Sequence, residues 1–282
     1  MRWKKGRRST NVDDRRGQRV GRGVKMGGGL TLLVVVAVLL LGGDPTTLLQ
    51  VVGDSPTTQT RAPTAAEDEM ADFVTVVLGY TEDTWGEIFA TAGQTYREPT
   101  LVLFTDIVQS ACGTNSAATG PFYCPSDQKV YVDLGFFREL ERIGGAGDFA
   151  QAYVVGHEVG HHVQNIAGTS NSVRQAQARS GSRAEANRLS VLMELQADCY
   201  AGVWAHHMDR RGGGAILEAG DVEEGLRAAA AIGDDRLMRS AGRAANPESF
   251  THGTSEQRAM WLRRGLQTGS VEACDTFRRG AP

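Results

Sequence analysis

Two histidines four residues apart, with a glutamate directly after the first, constrain this chain more than any other feature: His157-Glu158-Val159-Gly160-His161. Residues four apart share one face of an α-helix, so both imidazoles reach a single metal ion only if the stretch is helical. Glu158 is turned about 100° from His157 along that helix, beside such a metal rather than on it. That is the position for a base acting on a metal-activated water. The pattern predicts a helix from about Phe149 to Ile166, with His157 and His161 as zinc ligands and Glu158 as catalytic base. The plain alternative is two surface histidines flanking an acid.

Catalytic zinc takes three protein ligands and keeps one open position. A glycine three residues past His161 and a histidine six past it would mark one large peptidase class. Gln164 and Ala167 stand there and exclude it. Of the other histidines, His162 adjoins His161 and points elsewhere, as a solvated residue or one in a layer behind the ligands. His206 and His207 close a long helix, where bonding the last carbonyls explains them. The better third ligand is Glu194, in Glu194-Leu-Gln-Ala-Asp198 on a helix predicted from about Ala184 to Met208. Asp198 lies one turn further along. It is placed to accept the free N–H of a ligand histidine, fixing that ring's tautomer. Leu192, Leu195, Ala197 and Ala201 around them predict a helix packed on several sides.

The charge is unevenly spread. Residues 1–25 carry a net +8 and the remaining 257 a net −11, inside an overall −3. An acidic body argues against nucleic acid as its partner. The basic head precedes Met26–Gly43, 18 residues without a charge and rich in Leu and Val. That length is at the short end of the ~17–25 residues that cross a bilayer. Arg22 and Lys25 flank it, which predicts a cytoplasmic N-terminus and everything beyond about residue 44 outside. A cleaved signal peptide fits less well, because the charged head is long and Leu41-Gly42-Gly43-Asp44 is no A-x-A-like site. The expected organisation is a basic cytoplasmic arm over 1–25, one transmembrane helix over 26–43, a linker over 44–65 and a domain over 66–282. Four cysteines, with no C-x-x-C pair, read as two extracytoplasmic disulfides, Cys112–Cys124 and Cys199–Cys274.

Within the domain, Met70, Phe73, Val74, Val77 and Leu78 recur at helical spacing. Leu101–Phe104 and Lys129–Leu134 read as strands, the second as the edge on which an extended peptide would lie. Residues 167–183 are polar and exposed. Asp221-Val-Glu-Glu224 and Thr254-Ser-Glu-Gln257 read as capping boxes opening two further helices. The fold class is α+β, mostly helical, with a small sheet.

Several segments together resemble the neutral zinc metallopeptidase family of bacterial membrane-anchored proteins, over nearly the whole chain. They are Asn11-Val-Asp-Asp-Arg15, Gly120-Pro-Phe-Tyr-Cys-Pro125, His157–His162, Glu194–Cys199, Ile232-Gly-Asp-Asp235 and Thr251-His-Gly-Thr254. The resemblance implies a zincin-like site with two His and one Glu around one zinc. It implies no substrate beyond peptide or unfolded protein and sets no oligomeric state. A looser similarity reaches membrane proteases that pair an E-x-x-x-D helix with a later His-Pro-x-x-x-x-Arg segment. His252 and Arg258 keep that spacing, with Gly253 in place of the proline. By this similarity His252 would donate to a developing oxyanion, and Arg258 would pair with Asp198 or another site carboxylate. The expected function is a membrane-anchored zinc metalloendopeptidase. The alternative is a catalytically silent metal-binding scaffold of the cell envelope.

Overall fold

The computed structural model describes residues 1–17, 62–116, 120–211 and 215–278. Two central strands, β2 (Thr100–Phe104) and β6 (Lys129–Asp133), pair in parallel with Leu101 opposite Val130 and Leu103 opposite Val132. Both are runs of apolar residues covered on both faces, as a buried parallel pair requires. Outside β2 lies β1 (Val12–Asp14), also parallel, and outside β6 lies β5 (Phe122–Cys124), antiparallel, in the order β1-β2-β6-β5. Between β2 and β5 a separate hairpin, β3 (Ile107–Ser110) with β4 (Gly113–Ser116), carries Cys112 at its turn. A disulfide ties Cys112 to Cys124.

Lys129–Leu134 was expected to be the open edge, and the structure corrects this. The turn after Cys124, with Gln128 at φ 58°, folds β5 back onto β6, so β6 is interior and β5 is the edge. Val12–Asp14, expected in a separate basic arm, instead pairs with β2. Met1–Arg16 belongs to the same compact unit as the chain from Pro63 on. The predicted span 26–43 lies outside the described residues. Among those described, no helix is long and apolar enough to cross a membrane.

Helices supply the rest. In chain order they are α1 (Ala65–Thr91), α2 (Gly135–Arg142), α3 (Asp148–Ile166), α4 (Thr169–Ala178), α5 (Arg183–Arg210), α6 (Asp221–Ala231), α7 (Asp234–Ser240) and α8 (Ser255–Thr268). Thr64 and Glu67 form a capping box on α1, and Thr254 and Gln257 form the expected one on α8. The box expected at Asp221 does not form. Gly220 caps α6, and the buried Asp221 carboxylate instead accepts the N–H of Glu218. The polar stretch after Ile166 is exposed as expected, yet it winds into α4 around the buried Val173.

The core lies between α3, α5 and α8, with Trp85, Trp204 and Trp261 among its fully buried side chains. Glycine sets the helix spacing. A Cβ on Gly265 would sit 2.0 Å from the Cys199 carbonyl oxygen, and one on Gly202 would sit 2.3 Å from the Leu262 oxygen. The backbones of α5 and α8 therefore touch where both lack side chains. A second disulfide, Cys199–Cys274, pins the segment after α8 to α5.

Candidate metal centre and active site

Helix α3 carries His157 and His161 one turn apart, and Gly160 faces α5. A Cβ on Gly160 would lie 3.0 Å from the Ala197 carbonyl oxygen, tighter than ordinary packing. Its absence lets α3 and α5 close in, and Glu194 meets both histidines. Glu194 Oε2 is 3.2 Å from His157 Nε2, and Oε1 is 3.4 Å from His161 Nε2. The three ligand atoms lie within 4.8 Å of one another.

The other nitrogen of each ring is already engaged. His157 Nδ1 donates to Asp198 Oδ1 at 2.8 Å, and His161 Nδ1 donates to Gln164 Oε1 at 2.9 Å. Gln164 is held in turn by donating to the Met193 carbonyl (2.7 Å) and to Gln196 Oε1 (3.0 Å). With Nδ1 engaged, Nε2 of each ring is the atom that faces the Glu194 carboxylate and that would, once deprotonated, be left to hold a metal ion. Two neutral imidazoles and one carboxylate form a donor set that suits zinc, so these residues fit the ion.

Asp198 is fully buried and is the hub behind the ligands. It accepts from the Tyr153 hydroxyl at 2.5 Å, from Arg258 Nε at 2.9 Å and from Arg258 Nη2 at 3.0 Å, besides His157. Arg258, 3% exposed, comes from α8. It is therefore a buried partner of Asp198 and not a surface arginine. Burial opposes ionisation of Asp198, yet Arg258 and His157 hold its pKa below the usual carboxylate value. Burial alone would push His157 down, but the Asp198 and Glu194 carboxylates raise it to about 10. Burial likewise works against the Glu194 carboxylate, which the imidazoles of His161 and His157 hold well below its usual range. The field at the Nε2 atoms is one that favours a cation.

Glu158 lines a cleft of about 460 Å³ together with His157, His161, Glu194, His252 and Arg258. Its carboxylate makes no hydrogen bond to another described residue. Phe136, Val154, Ile232 and Leu237 supply apolar wall, and Gly120–Tyr123 supply the β5 side. His252 reaches the cleft from the loop before α8, and Asp234 at the start of α7 places it there. Asp234 Oδ2 accepts the backbone N–H groups of Thr251, His252 and Gly253 at 2.8, 2.7 and 3.1 Å. Its Oδ1 lies 3.2 Å from His252 Nδ1. The hydrogen bond to Asp234 raises the His252 pKa above its ordinary value.

The other histidines stay out of the site. His162 is not solvated: it is wholly buried, facing the Tyr123 hydroxyl and the Arg97 carbonyl. His206 and His207 bond the Leu266 and Gly269 carbonyls at the end of α8 rather than those of their own helix. A second hollow around His206, Asp209 and Arg263 lies apart from the metal-ligand set. Sequence reasoning missed Tyr153, Gln164 and Asp234. Tyr153 sits one turn before His157 and Gln164 three residues after His161, so helical spacing carried a signal for both. Asp234 stood inside the segment Ile232–Asp235 that carried the family resemblance, but nothing local gave it a role, because its partners lie 17 to 19 residues away.

A helical α+β domain with an H-E-x-x-H helix and a carboxylate from a second helix meeting its histidines belongs to the zinc-peptidase class. The family model described as "Putative neutral zinc metallopeptidase" matches residues 1–277, and the chain belongs to that family. It is 47% identical to the uncharacterized protein YpfJ of Escherichia coli K12, over 98% of this chain and 99% of that one. It is 44% identical to the uncharacterized protein Rv2575 of Mycobacterium tuberculosis H37Rv, over 64% of this chain and 63% of that one. No solved structure matches it.

Proposed function

We propose that this protein is a zinc-dependent endopeptidase acting on extended peptide or unfolded protein, with His157, His161 and Glu194 as ligands of one zinc and Glu158 as general base. One observation carries the reading. Both Nε2 atoms and Glu194 converge in the cleft that a Glu158 carboxylate lines without a hydrogen bond to any other described residue. A purely structural zinc site needs the ligands but not the free base.

Zinc bound at these ligands supplies Lewis acidity. The protein's own groups do the rest. Glu158 accepts a proton from the attacking water and returns it to the leaving amine, a role worth ~10²–10⁴-fold. His252, held by Asp234 at the cleft wall, presents Nε2–H to the oxygen on which negative charge develops. Asp198, braced by Arg258 and Tyr153, holds the His157 ring so that Nε2 faces inward. The peptide lies along β5, which borders the cleft and is the edge strand of its sheet among the described residues, where an extended chain can pair. Attachment to a membrane through residues 26–43 is part of this proposal.

The test is mass-spectrometric profiling of peptides released from an unfolded-protein panel by wild type and by Glu158→Gln. New termini made by wild type and missing with the variant support an endopeptidase. Full zinc loading without cleavage of any panel member would leave a metal-bound scaffold as the better description.

A further inference from the structure

Residues 1–16 are built into the zinc-peptidase unit rather than tethered to it. The Glu82 carboxylate on α1 is 3% exposed. It takes its hydrogen bonds from Arg7 Nη2 (2.7 Å), Ser9 Oγ (2.5 Å) and Asn11 Nδ2 (2.8 Å). Lifting the segment away would break all three of these hydrogen bonds to a charged acceptor at once, which is unfavourable. Main-chain bonds fix the segment at four further points. The Arg2 N–H donates to Ile216 O, the Ser9 N–H to Thr75 O, the Leu101 N–H to Asn11 O and the Arg15 N–H to Leu103 O. Trp3 packs edge-on against the buried Phe73 at 5.3 Å. A Cβ on Gly79 would lie 2.5 Å from the Arg7 carbonyl oxygen, so α1 is shaped for this backbone.

The basic side chains of the segment are also engaged. Arg2, Lys4, Arg7, Arg8 and Arg16 pair with Glu218, Glu69, Asp83, Asp72 and Asp68 beyond the segment, and Arg15 pairs with Asp13 within it. Six of the ten positive charges that predicted a cytoplasmic arm thus have partners inside the protein. They are weak evidence for which side of a membrane the arm occupies.

A chain that leaves this unit after Arg16 and rejoins it at Pro63 starts and ends that excursion on one side of any bilayer. A single crossing by residues 26–43 would separate β1 from β2 by the membrane's thickness, ~30 Å of hydrocarbon. We infer that residues 1–16 and the zinc-peptidase domain lie on the same side of the membrane, the side outside the cytosol. The two disulfides argue for that side, because cytosolic thiols are kept reduced.

The test uses the full-length chain in spheroplasts of a bacterial host. Lys5→Cys and Arg174→Cys each place a thiol at an exposed position, one in the segment and one on α4. Each variant is exposed to a membrane-impermeant maleimide before and after permeabilisation. Labelling of both to the same extent in intact spheroplasts is expected. Labelling of Arg174→Cys alone, of Lys5→Cys alone, or of neither before permeabilisation overturns the inference. Zero-length carbodiimide coupling of the unmodified chain in its native membrane is the second measurement. Lys4 Nζ lies 3.4 Å from Glu69 Oε1, so a Lys4–Glu69 cross-linked peptide is expected. Its absence would overturn the docking even if Lys5→Cys proved unreactive in detergent.

Discussion

Replacing Arg258 by methionine tests the construction of the site without touching a proposed metal ligand. Methionine keeps the length and apolar stem of arginine but removes the charge that faces Asp198. Asp198 is fully buried, and Arg258 supplies two of its four hydrogen bonds, at 2.9 and 3.0 Å. Breaking a buried ion pair from one side costs about 3–5 kcal/mol, because the remaining charge is left without its partner. In a domain of this size each kcal/mol lowers the melting temperature by about 2–4 °C, so Arg258→Met should fall by about 6–20 °C. Asp198→Asn should cost a similar amount and also weaken zinc binding about 10–100-fold, through the freed His157 ring. The double variant should be less destabilised than the two single losses added, by about 0.5–3 kcal/mol of coupling, since neither charge is then orphaned. Differential scanning calorimetry of the zinc-loaded proteins measures all three. A loss with Arg258→Met no larger than the ~0.5 kcal/mol of an ordinary surface substitution would refute the buried-hub reasoning.

Glu158→Gln should keep one zinc per chain by elemental analysis while losing about 10²–10⁴-fold in peptidase rate, because Gln cannot accept the water's proton. Glu194→Ala should lose metal and activity together. Retention of wild-type zinc by that variant would remove Glu194 from the ligand set. Because His252 Nδ1 faces Asp234, its Nε2 carries a proton only in the imidazolium, whose pKa Asp234 raises. Activity should therefore decline as pH rises through that raised value, and Asp234→Asn should move the decline to lower pH. An unmoved pH profile would show that Asp234 does not act through His252. The same raised pKa makes the His252–Asp234 contact stabilising below the imidazole's ordinary value and progressively lost above it. Cys199→Ser with Cys274→Ser opens a link across 75 residues, for which loop entropy alone gives about 4 kcal/mol, read as a drop in unfolding free energy in urea.

The helix of His157 and His161 was legible because its pattern is local: two imidazoles that are to meet one turn apart need a helix, and the helix is there. Glu194 and Asp198 were legible for the same reason, and the pairing of α3 with α5 followed from their shared task. Long-range relations were not legible in this way. The apolar strand Lys129–Asp133 has the same pattern at an edge or in the middle of a sheet, and only the fold-back after Cys124 decides between them. The Arg7, Arg8 and Arg16 charges read as a membrane-flanking cluster because their acidic partners on α1 are more than 50 residues away. Gln164 looked like a mere departure from another class's pattern. Its carbonyl oxygen turned out to hold the second histidine.

Docking of the first strand also governs the order in which the protein reaches its final form. Ser9 meets Glu82 across 73 residues, and the Met1 ammonium meets Asp148 and Asp221 across 147 and 220. Residues 1–16 therefore find the last of these partners only after the chain as far as α6 has been made. Contacts of such sequence separation form late, since loop closure precedes any gain from them. Until Thr100–Phe104 has been made β1 has no neighbour to pair with, and until β1 docks the β2 edge that it covers stays open. In that interval an unpaired strand is vulnerable to association with other chains.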